Sequence, residues 1–240
     1  MLFVWYKVSF DEKWSHGSAV CETVYFFVEF VCVFPWKCVS LNNQNRGKIM
    51  DGILRKLPIG IQTFEKLREG DYLYVDKTAL VWRIASTETP YFLSRPRRFG
   101  KSLLLSTFEA YFEGKKELFE GLAIADMEKE WKTYPLFHLD LNAEKYDSPQ
   151  ALVEILSRQL TQWELKYGKG EDEETLSGRF AGVIRRACEQ SGRGVVVLVD
   201  EYDKPLLQAL GDDALLDDYR KTLKAFYGVL KSSDRYLRFV

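Results

Sequence analysis

The sequence predicts an α/β fold in which a parallel sheet is flanked by helices. Strand-like and helix-like segments alternate along most of the chain, which is typical of this class. Residues 195–199 form an uninterrupted apolar run, four valines and a leucine. Such a run predicts a strand buried on both faces, as in a parallel sheet.

The composition is that of an ordinary globular protein. The chain has 240 residues, of which 46% are hydrophobic and 29% charged, and its net charge is −1. This balance gives no overall basic signature for nucleic acid, and no stretch reaches the roughly 20 apolar residues that span a bilayer. With four cysteines, no C-x-x-C spacing and two histidines, a zinc site is disfavoured. Unpaired thiols predict a reducing, cytoplasmic location.

Residues 1–49 differ from the rest of the chain. They are rich in Phe, Val, Trp and Cys, and their apolar residues keep no sustained period of 2 or 3.6. A more regular pattern begins at Met50. We therefore predict an atypical extension at 1–49 and a domain at 50–240. The extension is either read-through of sequence upstream of a start at Met50 or a short β-rich addition.

The first part of the domain predicts two helices and two short strands. Thr63 and Asp76 precede the helical segments and are the candidate N-caps, because their side-chain oxygens can accept from free backbone N–H groups. In chain order the elements are a helix over 61–68, a strand at 72–75, a helix over 79–86 and a strand at 91–94.

The second part alternates long helices with strands. Ser148 is a candidate N-cap before a strongly amphipathic segment. In chain order the elements are an apolar helix over 102–112, a mixed region over 115–133, a strand at 136–141, helices over 148–167 and 175–190, the buried strand at 195–199, a helix over 219–231 and a strand beginning at 238.

One loop carries the strongest functional signal. A strand, a tight loop and Gly-Lys-Ser at the start of an apolar helix are the arrangement by which P-loop proteins hold nucleotide phosphates. Backbone N–H groups face the anion, and the lysine reaches the outer phosphates. Arg95 stands where the usual motif has its first glycine. The residues predicted to bind ATP are Arg95, Pro96, Arg97, Arg98, Phe99, Gly100, Lys101 and Ser102.

A second motif supplies the reaction chemistry. The strand at 195–199 runs directly into Asp200 and Glu201. In P-loop ATPases an aspartate at this place orders Mg²⁺ and a glutamate polarises the attacking water. We therefore predict Ser102 and Asp200 as Mg²⁺ ligands and Glu201 as the catalytic residue. ATP and Mg²⁺ are the predicted cofactors.

Other polar residues near these motifs have two interpretations each. Arg95, Arg97 and Arg98 contact phosphate or a nucleic-acid backbone, or they face solvent. His138 lies within a strand, where a satisfied core histidine is more common than a catalyst. Asp140 ends that strand and reaches the site if the strands are parallel.

Four sequence blocks, in order, make the chain similar to the bacterial predicted AAA-ATPase-like family across residues 56–240. In that family arginine is usual at the position of Arg95. The resemblance implies an ATPase core followed by a PD-(D/E)XK nuclease-like domain, with rings or other oligomers. The blocks are Leu-Pro-Ile-Gly-Ile-Gln-Thr-Phe at 57–64, Tyr-Val-Asp-Lys-Thr at 74–78, Arg-Pro-Arg-Arg-Phe-Gly-Lys-Ser at 95–102 and Val-Asp-Glu-Tyr-Asp-Lys-Pro at 199–205.

The resemblance also implies a strand order, 5-1-4-3-2. The strand that begins near Arg238 would then lie between the strands at 195–199 and 91–94 and would be cut at Val240. On this view the sheet is C-terminally truncated, and hydrolysis by this chain is weak. Mg²⁺-dependent ATP hydrolysis is predicted for the intact protein. The alternatives are a nucleotide-dependent binding module without catalysis and a nucleic-acid-associated module.

Overall fold

The fold is known from a computed structural model, in which the described residues are 55–87, 90–94, 99–142 and 145–240. They belong to one unit that runs from Ile53 to Val240. The predictions for 1–49 and for Arg95, Pro96, Arg97 and Arg98 lie outside the described residues.

A parallel sheet of three strands, in the order β1-β2-β3, forms the centre of the fold. The strands are β1 (Leu136–Asp140), β2 (Val195–Asp200) and β3 (Leu237–Phe239). β1 and β2 are in register, so that Asp140 lies opposite Asp200 at the carboxyl ends. The predicted α/β class, a parallel sheet flanked by helices, is confirmed.

Helices cover both faces of this sheet. None of the helices between Arg55 and Val240, within the described ranges, is long and apolar enough to cross a membrane. In chain order the helices are α1 (Phe64–Glu69), α2 (Thr78–Ala85), α3 (Lys101–Phe112), α4 (Ala123–Met127), α5 (Pro149–Tyr167), α6 (Leu176–Ser191), α7 (Lys204–Gln208) and α8 (Asp213–Ser232), with 3₁₀ turns at Lys116–Phe119 and Asp234–Tyr236.

The side chains of β2 alternate between two hydrophobic cores. Val195 and Val197 pack into the core built with α5, α6 and α8. Val196 and Leu198 pack into the opposite core, which α1, α2 and α3 share. Successive side chains of a strand point to opposite faces, which explains the uninterrupted apolar run. The same alternation places the Asp200 side chain on the face of the sheet that α3 covers.

Side-chain caps fix where three of the helices begin. Ser148 accepts a hydrogen bond from the Ala151 N–H at 3.3 Å, so its predicted role as the N-cap of α5 is confirmed. Asp212 accepts from the Leu215 N–H at 3.0 Å. This cap, which the sequence analysis missed, starts α8 at Asp213 rather than at the predicted 219. Thr175 caps α6 in the same way.

Two predicted strands and two predicted caps are wrong. Lys77, not Asp76, is the N-cap of α2, although Oδ1 of Asp76 accepts from the Thr78 N–H at 2.8 Å. Tyr72 forms only an isolated bridge with Lys56, and residues 73–77 have no regular structure. The segment 91–94 is not a strand either. Among the described residues its one backbone bond to another segment joins Tyr91 to Val240, just past β3. The side chain of Thr63 makes no cap bond to α1. A β-prone composition is not enough where a second strand does not lie alongside.

The short strand β3 lies beside β2, at the place that the family resemblance implies. On its other side the Tyr91 N–H donates to the Val240 carbonyl at 2.9 Å, and the Tyr91 ring stacks on Phe239. Gly194 makes the close approach of β3 feasible, because a Cβ there would meet the Arg238 nitrogen at 2.9 Å. The segment that leads to the Gly-Lys-Ser motif is therefore held next to β3.

Candidate functional site

The site is built around the first turn of α3. Gly100 precedes this helix with φ 73° and ψ 28°, in the left-handed region that favours glycine. A Cβ at this position would meet nothing within 4 Å, so the requirement for glycine is conformational rather than steric. The first backbone N–H groups of a helix have no partner within it and carry its positive end. Lys101 and Ser102 therefore lie in a first turn whose N–H groups have no partner within the helix.

Ser102 connects this turn with the end of β2. Its Oγ donates a hydrogen bond to Oδ2 of Asp200 at 2.8 Å. The other carboxylate oxygen, Oδ1, accepts from the Glu201 N–H at 2.9 Å. Both oxygens of Asp200 are thus oriented by hydrogen bonds, one of them at the start of α3. Ser102 and Asp200 are half-buried.

Glu201 has a backbone conformation that is unusual for its residue type. Its φ is +51°, in a region where a side chain costs about 1–2 kcal/mol. Its carbonyl accepts from the Lys204 N–H at 2.9 Å, which stabilises a tight turn after β2. The Nζ of Lys101 lies 3.8 Å from Oε1 of Glu201, and about a quarter of each side chain is exposed. Such backbone outliers concentrate at functional sites.

The end of β1 adds polar groups at the same edge of the sheet. Oδ1 of Asp140 accepts from the Asn142 N–H at 2.8 Å. The Lys204 Nζ donates to Oδ1 of Asn142 at 2.7 Å and also to its carbonyl. Asp140 therefore lies at the predicted edge, opposite Asp200, but its described hydrogen bond is local. Lys204 joins the ends of β1 and β2, a role that the sequence analysis missed although Lys204 follows the acidic pair closely.

His138, on β1, contacts the middle of α3. Its Nδ1 lies 3.5 Å from Oε2 of Glu109. The hydrogen bond with Glu109 raises the pKa of His138, and burial opposes this increase. The charges of Asp140 and Asp200 raise the pKa of His138 further. Its Nε2 is buried without a hydrogen-bond partner among the described residues, so the expectation of a fully satisfied histidine is wrong.

A comparison with known protein families matches the part of the chain that contains this site. Residues 58–240 match the family described as Predicted AAA-ATPase. This chain belongs to that family. The membership suggests a nucleotide-binding ATPase.

A curated relative is 42% identical over 186 residues. It is an Azotobacter chroococcum mcd 1 protein described as "Uncharacterized protein in vnfD 5'region". The alignment covers 77% of this chain but 36% of the relative, so the chain spans little more than a third of that protein's length. No solved structure matches this chain.

In this predicted AAA-ATPase an aromatic contact joins the two motifs. Phe92, in the segment before the Gly-Lys-Ser motif, meets Tyr202 edge-to-face with ring centroids 5.1 Å apart. Burial raises the pKa of Tyr202. Phe99, a predicted nucleotide-binding residue that precedes Gly100, is 58% exposed. The contact helps to fix the chain after Glu201 against the segment that enters the loop.

Four of the predicted site residues come together in the structure: Lys101, Ser102, Asp200 and Glu201. Within the described ranges, no group of three or more His, Cys, Asp or Glu side chains could hold a metal ion. A hydroxyl next to one carboxylate still fits Mg²⁺, which is commonly bound by one or two protein oxygens together with waters and phosphates. The residues present therefore fit this cofactor.

Proposed function

We propose that this chain binds ATP with Mg²⁺ at the start of α3 and that Glu201 serves its hydrolysis. The proposal rests on one observation above all. The Ser102 hydroxyl and the Asp200 carboxylate are 2.8 Å apart, at the N-terminus of a helix whose first residue is Lys101. This combination puts oxygen ligands, an anion-binding helix end and a cation within one small region.

Lys101 and the first turn of α3 would bind the phosphates. A helix N-terminus attracts anions through its free N–H groups and its positive dipole end. The Lys101 ammonium now lies near Glu201 at 3.8 Å, a distance too long for a strong hydrogen bond. Phosphate oxygens can therefore replace this contact at little cost. Phe99 and the loop arginines Arg95, Arg97 and Arg98 belong to the same proposed phosphate-binding segment, together with Pro96.

Ser102 and Asp200 would hold the Mg²⁺. The ion supplies charge neutralisation at the transferring phosphate. The Ser102 Oγ and the Asp200 Oδ2 are oriented toward each other before any ligand arrives. The Glu201 N–H fixes the second Asp200 oxygen, so that the carboxylate plane is set by the protein.

Glu201 would act as the general base. Its carboxylate lies beside Lys101 and next to Asp200 in the chain, where it would orient the attacking water and accept its proton. The left-handed backbone at Glu201 turns the chain sharply after β2. We propose that this turn aims the carboxylate at the phosphate site rather than along the strand.

Calorimetric titration with ATP, with and without Mg²⁺, tests the binding step. We expect Lys101→Ala to weaken ATP binding at least about tenfold, since it removes a charge-assisted contact. Lys224→Ala is the matched control, because Lys224 is exposed on α8, on the opposite side of the sheet. Equal affinities in wild type and Lys101→Ala would refute the proposed site.

Phosphate release by Glu201→Gln tests the hydrolysis step. We expect this variant to retain ATP binding and to lose turnover, because glutamine keeps the shape but cannot accept a proton. A nucleotide-dependent binding module without catalysis predicts instead that Glu201→Gln changes nothing. No turnover in either protein, with ATP still bound, would support the binding module. Wild-type turnover in Glu201→Gln would show instead that Glu201 is not the general base.

A further inference from the structure

Among the described residues, two polar contacts join helix α3 to strand residues of the sheet. At its start, Ser102 donates to Asp200 at the end of β2. Further along, Glu109 meets His138 within β1. The two positions are about two helical turns apart, so both side chains leave the helix from the same face. One helix is thereby attached to two neighbouring strands.

The second contact joins groups that favour each other's charged form. The bond with Glu109 raises the pKa of His138, and the bond with His138 lowers the pKa of Glu109. Three other charged groups also act on the pair. Asp140 and Asp200 act on the histidine, and Lys115 acts on the glutamate. About a third of each paired side chain is exposed, so water weakens the attraction between the two charges without abolishing it.

Apolar contacts also join α3 to the sheet. Phe108 and Phe112 pack against Phe239 of β3, with ring centroids 5.2 Å and 5.1 Å apart. Apolar burial is non-directional and tolerates small shifts of a helix along the sheet. A pair of opposite charges at 3.5 Å opposes such shifts, because moving the helix along the sheet would separate them. The contact between Glu109 and His138 therefore fixes the position of α3 along the sheet, which the apolar contacts alone do not.

We propose that Glu109 and His138 are positioning residues, whose contact holds α3 at a fixed place on the sheet and thereby sets Ser102 against Asp200. The inference rests on the proposed function, since it is the binding of ATP with Mg²⁺ that needs this alignment. Neither residue touches the nucleotide in this scheme. They act through the helix that carries Lys101 and Ser102.

The chain offers a conservative variant and a matched control. Glu109→Gln keeps an oxygen that can accept from the Nδ1–H of His138, whereas Glu109→Ala removes it. Glu113, just past the end of α3, pairs with Lys115 Nζ at 2.9 Å instead. Glu113→Ala therefore deletes a carboxylate of similar exposure from the same region without touching His138.

The first measurement is the affinity for ATP with Mg²⁺ by calorimetry, in the full chain. We expect Glu109→Ala to bind about five- to tenfold more weakly, within the range known for positions coupled to a distant site. Glu109→Gln should lie within about twofold of wild type, and Glu113→Ala should equal it. Wild-type affinity in Glu109→Ala, while Lys101→Ala has lost binding, would overturn the inference and leave the proposed function intact.

The second measurement needs no nucleotide. Hydrogen exchange should become faster in Glu109→Ala at the amides of residues 104–107, in the first half of α3, while the amides of α5 keep their wild-type rates. Glu109→Gln should restore the slow exchange. A general loss of stability would instead accelerate both helices. Unchanged exchange at 104–107, or equal acceleration in α5, would overturn the inference even if the chain binds no ATP.

Discussion

The Ser102 hydroxyl donates to the Asp200 carboxylate at 2.8 Å, although the two residues are 98 positions apart in the chain. The contact has two independent causes. The alternation of side chains along β2 directs Asp200 toward α3. Gly100 is the N-cap of that helix, which places Ser102 in its first turn. The same two oxygens are those that Mg²⁺ would share. The bond between them thus brings together the two oxygens of the proposed metal site.

Ser102→Ala should therefore act through the metal. We expect ATP affinity to fall about tenfold in the presence of Mg²⁺, the cost of a lost contact to a charged group, and to change little in EDTA. Ser102→Thr keeps the hydroxyl and is the control. Titration of each variant with ATP, with and without Mg²⁺, gives the comparison. An equal loss in EDTA would show that the hydroxyl does not act through the metal.

Local signals in the sequence were sufficient for much of the fold. The apolar run at 195–199 correctly predicted β2, because burial on both faces removes the need for polar residues. Ser148 correctly predicted the start of α5, because a cap needs only residues within one turn. The convergence of Lys101, Ser102 and the acidic pair also followed from the order of strands and helices.

Features that depend on distant partners could not be predicted. Residues 91–94 have the composition of a strand, but among the described residues only the Tyr91 N–H bonds to a neighbouring segment, at the Val240 carbonyl just past β3. Likewise, the sequence places His138 in a strand without showing that Glu109 of α3 lies opposite. The left-handed backbone of Glu201 was also unexpected, since glutamate has no preference for that region.

The conformation of Glu201 gives a prediction about stability. Glu201→Gly should be about 1 kcal/mol more stable than Glu201→Ala, because glycine adopts a φ of +51° without the steric cost that alanine has there. Both variants lose the contact with Lys101, so their difference isolates the backbone. Urea unfolding of the two proteins measures it. Equal stability, or a more stable alanine variant, would contradict strain at this position.

A buried ion pair between α5 and α6 gives a prediction away from the site. The Arg179 guanidinium donates to both oxygens of Glu164, at 2.8 Å and 2.7 Å, and the side chains are only 10% and 6% exposed. Arg179→Ala leaves the Glu164 carboxylate buried without its cation. We expect it to lower the free energy of unfolding by about 3–5 kcal/mol.

Lys221→Ala is the control for this effect. Lys221 forms an exposed ion pair with Asp217 on α8, and exposed pairs contribute about 0–1 kcal/mol. Urea unfolding of both variants provides the comparison. A loss in Arg179→Ala no larger than that in Lys221→Ala would mean that Glu164 finds water or another partner.

The contact between Glu109 and His138 gives stability a dependence on pH. The folded protein raises the pKa of His138 above its ordinary 6.5, mainly through Glu109. Its contribution is therefore complete below 6.5 and is lost as the pH rises through the folded value. The pKa of Glu109 is lowered from 4.5 by the same contact, and its contribution is lost as the pH falls through its folded value. Between 4.5 and 6.5 the pair contributes fully.

We expect the free energy of unfolding of wild type to fall as the pH rises above 6.5, and the fall to be smaller in Glu109→Gln. Glutamine can accept a hydrogen bond but has no charge to favour the imidazolium, whereas Asp140 and Asp200 still favour it. Urea unfolding between pH 6 and 8.5 measures both proteins. If Glu109→Gln falls as steeply as wild type, Glu109 is not the group that raises the pKa of His138.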